Sequence, residues 1–405
     1  MGISETIKKN RDMTGFGGKK ENPEEVIFSG LRIVIAGGGT GGHLFPGIAI
    51  AEVFMKRQPA TRVLFVTSGK RIEETVLAKT FFEKKLISVE GIKGKGIFAK
   101  LTSIFILPKG LLDALRLLIG FKPDIVIGMG AYSAGPVILG AWLLRIHRVI
   151  HEQNSIPGLT NRLLSGLAEK IYVSFPDTGF KSSFKHKIDF TGNPVRNEIV
   201  QRAGLDQNSH QVPQDEKRLF TLLILGGSQG AHSINMAVLD SIYYLKNPDK
   251  YRFVHQTGIK DADAVSKVYQ QHHIVSDVAP FFNDMADRYR EADLVICRSG
   301  ATTVAELTVT GKAVVFIPFP FATDGHQVVN AKALVADGAA EMIYEKDLSG
   351  KILAGKMAYY AENTEVKKSM ESKIQKFGHP DAADRIVDDI YRIIHNNDYE
   401  TPCAA

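Results

Sequence analysis

An apolar run that leads straight into a glycine-rich turn and a small-residue helix start occurs twice in this chain, at LRIVIAGGGTGGHLFP and again at LFTLLILGGSQGAHSIN. Unbroken apolar runs, without polar alternation, belong to strands covered on both faces, and such strands form parallel sheets wrapped by helices. The repeat predicts an α/β chain made of two Rossmann-like domains, with parallel sheets facing each other across a cleft. Further runs follow each opening: RVLFVTSG, DIVIGMG, RVIHEQN, KIYVSF and IDFTGNP in the first half, then YRFVHQTG, HHIVSDV, DLVICRSG, AVVFIPFP and AAEMIYE. We expect a polar extension over 1–30, a first domain over 31–200, a polar linker over 201–218, a second domain over 219–378 and a helix over 379–400. The last segment is amphipathic, with Ile386, Ile390, Ile393 and Ile394 on one side, and suits either a brace on the first domain or an ordinary end to the second.

Composition excludes several classes. With 44% hydrophobic and 23% charged residues over 405 positions, the chain can bury two large cores and is not a disordered protein. Its two cysteines, Cys297 and Cys403, lack partners at metal-ligand spacing, so neither a disulfide framework nor a zinc site is implied. The net charge of +6 comes without an aromatic-interleaved basic stripe, so it suits anionic substrates or anionic lipid rather than nucleic acid. No apolar stretch approaches the ~18 residues of a spanning helix, and residues 1–30 lack the apolar core of a signal peptide.

Gly37, Gly39 and Gly42 form G-x-G-x-x-G directly after a strand. A dinucleotide site also needs an acid at the tip of the second strand, where this chain has Ser68, Gly69 and Lys70. What remains is a turn that brings backbone N–H groups and a helix N-terminus to an anion. Two more turns of this kind are Gly226 to Gly230, carrying Ser228, and Arg298 to Thr303, carrying Thr302 and Thr303. Any one of them can be a tight connection and nothing more; three ask for a ligand. Arg196, in GNPVR, adds a fixed fork of donors. Walker A is absent, and the pattern points to a diphosphate held by amides, hydroxyls and arginine, with no metal and no cofactor. Polar residues gather at the ends of other strands: His43, His151-Glu152-Gln153-Asn154, Glu306, and Asp324-Gly325-His326-Gln327 with Asn330. A lone histidine is more often structural than catalytic, whereas four hydrogen-bonding side chains in a row are costly to bury without a network or a ligand.

GGTGGH followed by Pro46, GMGAYSAGP, HEQNSIPGLTNR, TGNPVR, LGGSQGA, CRSGATTVAE and the D-x-H-Q segment occur in that order. This set resembles the MurG family of GT-B glycosyltransferases from about residue 31 onward. The resemblance implies inverting transfer of N-acetylglucosamine from UDP-GlcNAc to the 4-hydroxyl of the muramyl sugar of lipid I, giving lipid II. It implies work at the cytoplasmic face of the bacterial plasma membrane as a peripheral protein. In such enzymes the second domain holds the donor. On that basis Phe282 lines the uracil pocket, and Ala301, Thr302, Thr303, Val304, Ala305 and Glu306 embrace the nucleotide, with Glu306 on the ribose hydroxyls. Gln327 and Asn330 contact the sugar, and Ser228 sits beside the phosphates. From the first domain, Thr40, Gly41, Gly42, Asn154 and Arg196 complete the donor site or meet the acceptor. His43 is the first candidate for the single general base, with Glu152 or His151 behind it; the plainer role for His43 is to position acceptor phosphate. The chain departs from relatives in the extra glycine of GGGTGGH, in its N-terminal extension and at Gly325.

A lipid-linked acceptor implies contact with an anionic membrane surface. In a helix beginning near Pro108, Leu111, Leu112, Leu115, Leu118 and Ile119 share a face that either packs on the sheet or meets lipid. Ile104 to Leu107, among Lys93, Lys95, Lys100 and Lys109, is the stronger candidate for insertion. The alternatives are a diacylglycerol glycosyltransferase or UDP-GlcNAc epimerase of the same fold, a non-catalytic nucleotide-sugar-binding scaffold, and a nicotinamide oxidoreductase.

Overall fold

The computed structural model describes residues 30–87, 97–208, 218–227 and 229–396, with the side chains of 97–107, 206–208 and 396 outside that description. The extension before residue 30, linker residues 209–217, Ser228, Lys93 and Lys95, and the side chains of Lys100 and Ile104 to Leu107, therefore lie outside the described residues.

Among the described residues, thirteen strands form two parallel sheets. The first comprises β1 (Arg32–Ala36), β2 (Arg62–Thr67), β3 (Glu83–Leu86), β4 (Ile125–Gly128), β5 (His147–Glu152), β6 (Lys170–Val173) and β7 (Ile188–Phe190), in the order β3-β2-β1-β4-β5-β6-β7. The second comprises β8 (Phe220–Leu225), β9 (Tyr251–Gln256), β10 (Val275–Ala279), β11 (Leu294–Cys297), β12 (Val314–Phe316) and β13 (Glu341–Met342), in the order β10-β9-β8-β11-β12-β13. The central strands are the unbroken apolar runs of the sequence: Ile33, Val34, Ile35 and Ala36 are all fully buried, as are Leu222, Leu223 and Ile224. Each sheet is covered on both faces by its own helices, giving two hydrophobic clusters per sheet. In both sheets the order reverses beside the first strand, between β1 and β4 and between β8 and β11, and the crevice outside such a reversal is where doubly wound sheets bind ligands.

The final helix, Ala382–Asn396, returns to the first unit. Ile386, Val387 and Ile390 join the core that holds Ile33, Phe54 and Tyr172. Arg57 pairs with Asp384 at 2.8 Å, and Tyr172 Oη donates to Asp389 at 2.9 Å.

Two elements differ from the sequence expectation. β3 carries Glu-Lys-Lys-Leu, exposed throughout, so its edge position left no apolar pattern to read. The helix placed near Pro108 begins at Ile97 and contains Pro108 within its span to Phe121. Its buried face is Ala114, Leu118 and Phe121, while Leu112 and Ile119 are exposed, so only part of the leucine stripe packs on the sheet.

Candidate active site

The two reversal points face each other and enclose a cleft of about 400 Å³. From the first unit the turn after β1 contributes Thr40, Gly41, Gly42 and His43, joined by Asn154; Arg196 enters between Val195 and Ile199, which are buried in the core of the second sheet. From the second come Ala301, Thr302, Thr303 and Glu306 on the helix Ala301–Thr310, with Gln327 at the rim. Among the described residues no three His, Cys, Asp or Glu side chains converge as a metal site requires.

A single proline links the turns. The helix Gly41–Arg57 contains Pro46, which has no N–H to give to the carbonyl of Gly42 four residues back. That carbonyl instead accepts a hydrogen bond from Thr302 Oγ1 of the opposite unit at 3.1 Å. The GGHLFP spelling thus leaves an acceptor at the cleft for the other unit to use.

Glu306 anchors a second polar cluster at the cleft. Its Oε1 accepts from Arg196 Nε at 3.2 Å and Nη2 at 2.9 Å, and its Oε2 accepts from Tyr289 Oη at 2.8 Å. The Arg196 guanidinium also stacks on Phe45, 4.5 Å from the ring centroid. Desolvation of two charges is tolerated here because each has its opposite and further hydrogen bonds. Two other contacts close the cleft at its edges: Asn330 Oδ1 accepts from Ser155 N at 3.0 Å, and Arg162 meets Asp324 at 2.9 Å.

His43 lies at the start of its helix with Nδ1 3.0 Å from Thr40 Oγ1. When Nδ1–H donates to Thr40, the Nε2 lone pair is free to accept a proton. Burial pushes its pKa down to about 4, with His326 and Lys70 adding charge repulsion, so the ring is neutral at physiological pH. The ring rests on Gly130, whose φ is +89°; a Cβ there would sit 3.1 Å from His43 Cδ2. His151 and Glu152 do not share this setting. His151 is fully buried, with Nδ1 taking Gln153 Nε2–H at 2.9 Å. Glu152 is also buried, and its carboxylate accepts the N–H groups of Asn154 and Gly158, each at 3.0 Å, and Asn161 Nδ2–H at 2.8 Å. Its pKa rises with burial, partly offset by these donors. Glu152 organises the HEQNSIPG loop and does not line the cleft.

Other expected residues fall elsewhere. Phe282 is buried beneath Arg288, 4.4 Å from its ring, with its N–H given to Gln256, and its neighbour Phe281 reaches the cleft. Val304 is in the core and Ala305 packs against it, because they face away from the cleft on the Ala301–Thr310 helix. Asn330 is fully buried, donating Nδ2–H to Asn154 Oδ1 at 3.2 Å, so it rivets the two units together. Gln327 keeps its place at the rim by accepting Phe319 N–H at 2.9 Å. Sequence reasoning missed Phe45, Gln256, Phe281, Met285, Tyr289 and Arg298, which also line the cleft. Phe45, next to GGH, and Arg298, opening the third turn, were within reach of motif reading; Tyr289 lies in an ordinary amphipathic helix and gives no signal.

Two doubly wound parallel sheets facing each other across a cleft at their reversal points define the GT-B fold. Residues 33–173 match the glycosyltransferase family 28 N-terminal domain and residues 221–386 its C-terminal domain. The UDP-N-acetylglucosamine--N-acetylmuramyl-(pentapeptide) pyrophosphoryl-undecaprenol N-acetylglucosamine transferase of Syntrophus aciditrophicus is 44% identical over 365 residues, 90% of this chain and 99% of the relative. The enzyme of that name from Trichlorobacter lovleyi is 42% identical over 88% of this chain and 97% of its own. The crystal structure of Acinetobacter baumannii MurG superposes with a TM-score of 0.69 at 30% identity, over 89% of this chain and 99% of that one. The S. aureus MnaA–UDP structure, 14% identical with a TM-score of 0.62 over 90% of this chain and 96% of its own, shares the fold alone. The chain belongs to the MurG family of glycosyltransferases.

Proposed function

We propose that this protein transfers N-acetylglucosamine from UDP-GlcNAc to the 4-hydroxyl of the muramyl sugar of lipid I, producing lipid II. The observation that carries the proposal is the meeting of the His43 turn and the Thr302 helix start in one cleft, in a chain 44% identical to a transferase of that name over nearly its whole length. The donor lies against the second unit. Glu306 accepts from the ribose hydroxyls, Gln327 reaches the sugar, and Ala301 to Thr303 surround the diphosphate. The first unit supplies Asn154 and the Thr40–Gly42 turn, and Arg196 lines the same cleft.

The acceptor oxygen forms its bond to the anomeric carbon as the bond to the diphosphate oxygen breaks. The hydroxyl proton goes to His43 Nε2, and UDP departs with the electron pair. One displacement inverts the anomeric centre. Arg196 and the amides of the helix starts offset the charge that grows on UDP, the larger electrostatic contribution in such a step.

The acceptor's lipid places the first unit on the cytoplasmic leaflet. In support, Leu112, Ile119, Trp142 and Leu143 are exposed on two helices that pack together at Gly140, and Lys109, Arg116 and Arg145 are exposed beside them. No helix among the described residues is long and apolar enough to cross a membrane. Radiolabelled UDP-GlcNAc offered with lipid I or with diacylglycerol tests the assignment. Label should enter lipid I alone; transfer to diacylglycerol, or UDP-GlcNAc binding without turnover on either, would remove it.

A further inference from the structure

The first glycine turn already holds an anion, and it comes from the protein. Glu73, three residues into the helix region that follows β2, is buried, and its carboxylate points back into the turn after β1. Oε1 accepts from Gly39 N–H and from Ser68 Oγ–H at 3.0 Å; Oε2 accepts from Ser68 N–H at 3.1 Å and Lys70 N–H at 2.9 Å. Four donors therefore converge on one carboxylate. Only the Lys70 amide belongs to the capping of its own helix Arg71–Leu77. The bonds to Gly39 and Ser68 tie the turn that leads into the His43 helix to the turn after the neighbouring strand. The fit is close, since a Cβ on Gly38 would lie 2.2 Å from Glu73 Oε1.

In dinucleotide-binding Rossmann folds the amides of this turn face a pyrophosphate. Here the Gly39 amide is given to Glu73, and a fixed negative charge stands where a phosphate oxygen would approach. The acid missing from the tip of the second strand is thus present five residues further on, serving the turn itself. One residue past Gly39 is Thr40, whose hydroxyl meets His43 Nδ1 at 3.0 Å. We propose that Glu73 is a positioning residue for sugar transfer: its carboxylate occupies the anion cradle of the first glycine turn and, through Gly39 and Thr40, holds His43 in register with the cleft. This rests on the reading of His43 as general base.

The test uses the full-length protein with UDP-GlcNAc and lipid I. Glu73→Gln keeps the shape but puts an NH2 where a second acceptor oxygen is needed. Gly38→Ala keeps the charge but drives a methyl group into the carboxylate. In both, kcat should fall on the order of 10²-fold, the scale of an ångström-level misplacement of a reacting group, while UDP affinity measured by calorimetry stays at the wild-type value. Because Glu73 acts through His43, Glu73→Gln should cause no further loss in a His43→Ala background. Wild-type turnover in both single variants, UDP affinity falling in step with kcat, or an additive loss in the double variant overturns the positioning role. Full turnover in His43→Ala alone instead removes the base reading.

Discussion

Arg196 and Glu306, 110 residues apart in the chain and both lining the cleft, form a buried ion pair with Nη2 2.9 Å from Oε1. Both groups are assigned to the donor, so the arginine occupies the carboxylate that the ribose is to use. Arg196→Met frees Glu306 for the ribose hydroxyls. Uridine, which has the ribose without phosphates, should bind up to about tenfold tighter, a difference of about 1.4 kcal/mol. UDP should bind more weakly, because it loses a cationic partner for its diphosphate. Calorimetry with both ligands checks this, and weaker uridine binding would show that the arginine does not compete with the ribose.

Gly130 combines a positive φ with contact to the His43 ring. Gly130→Ala is strained on the backbone and displaces the imidazole. We expect kcat to fall about 10²-fold with UDP affinity unchanged, read from steady-state turnover and a titration. Equal losses in both would point to a collapsed fold instead.

The histidines set the response to acid. Burial holds His43 and His151 at about 4 and His255 at about 3, all below the ordinary value of 6.5. Since His43 must be neutral to accept a proton, the acid limb of kcat/KM for the acceptor should lie near pH 4 to 5 and not near 6.5. Below pH 6.5 the unfolded chain takes up protons that the folded chain refuses. The stability is fully present above pH 6.5 and is lost as pH falls toward 4. The two fully buried rings, His151 and His255, alone give a slope of about 3 kcal/mol per pH unit in mid-window. Urea midpoints at pH 7 and pH 5 measure it; identical midpoints would mean these rings ionise freely.

The exposed apolar face of the first unit should bind anionic vesicles. Replacing Leu112 and Ile119 together by glutamate should lower partitioning by about tenfold or more per side chain, the effect of withholding a large apolar group from burial. Transfer to a short-chain, soluble acceptor should be retained. Undiminished flotation with phosphatidylglycerol vesicles would place the membrane contact elsewhere.

The two sheets were legible in the sequence because their signals are local. Val34 and Ile224 sit in runs whose apolar character needs no partner to be recognised, and the glycine turns that follow mark where the chain leaves the sheet. β3 was not legible, since an edge strand with Glu83, Lys84 and Lys85 exposed buries nothing. At the site, residues on the turns themselves, from Thr40 to His43 and from Ala301 to Thr303, were found because the turns carry them to the cleft. Phe282, Asn330 and Glu152 are buried beside the cleft and do not line it, which was not legible because a polar or aromatic type says nothing about which way the side chain turns. One step along the backbone, Phe281 reaches the cleft.

What the sequence determined by itself was the pair of parallel sheets, the glycine turns at their reversal points and the family, all written in short stretches of backbone preference and residue order. Only the tertiary structure decided that Glu73 answers Gly39 across 34 positions, that Thr302 takes the carbonyl Pro46 leaves open, and that Arg196 reaches Glu306. Hydrogen bonds act over about 3 Å, so each of these depends on how rigid strands and helices are set against one another. That setting is fixed by the packing of the whole core and is not encoded at either partner.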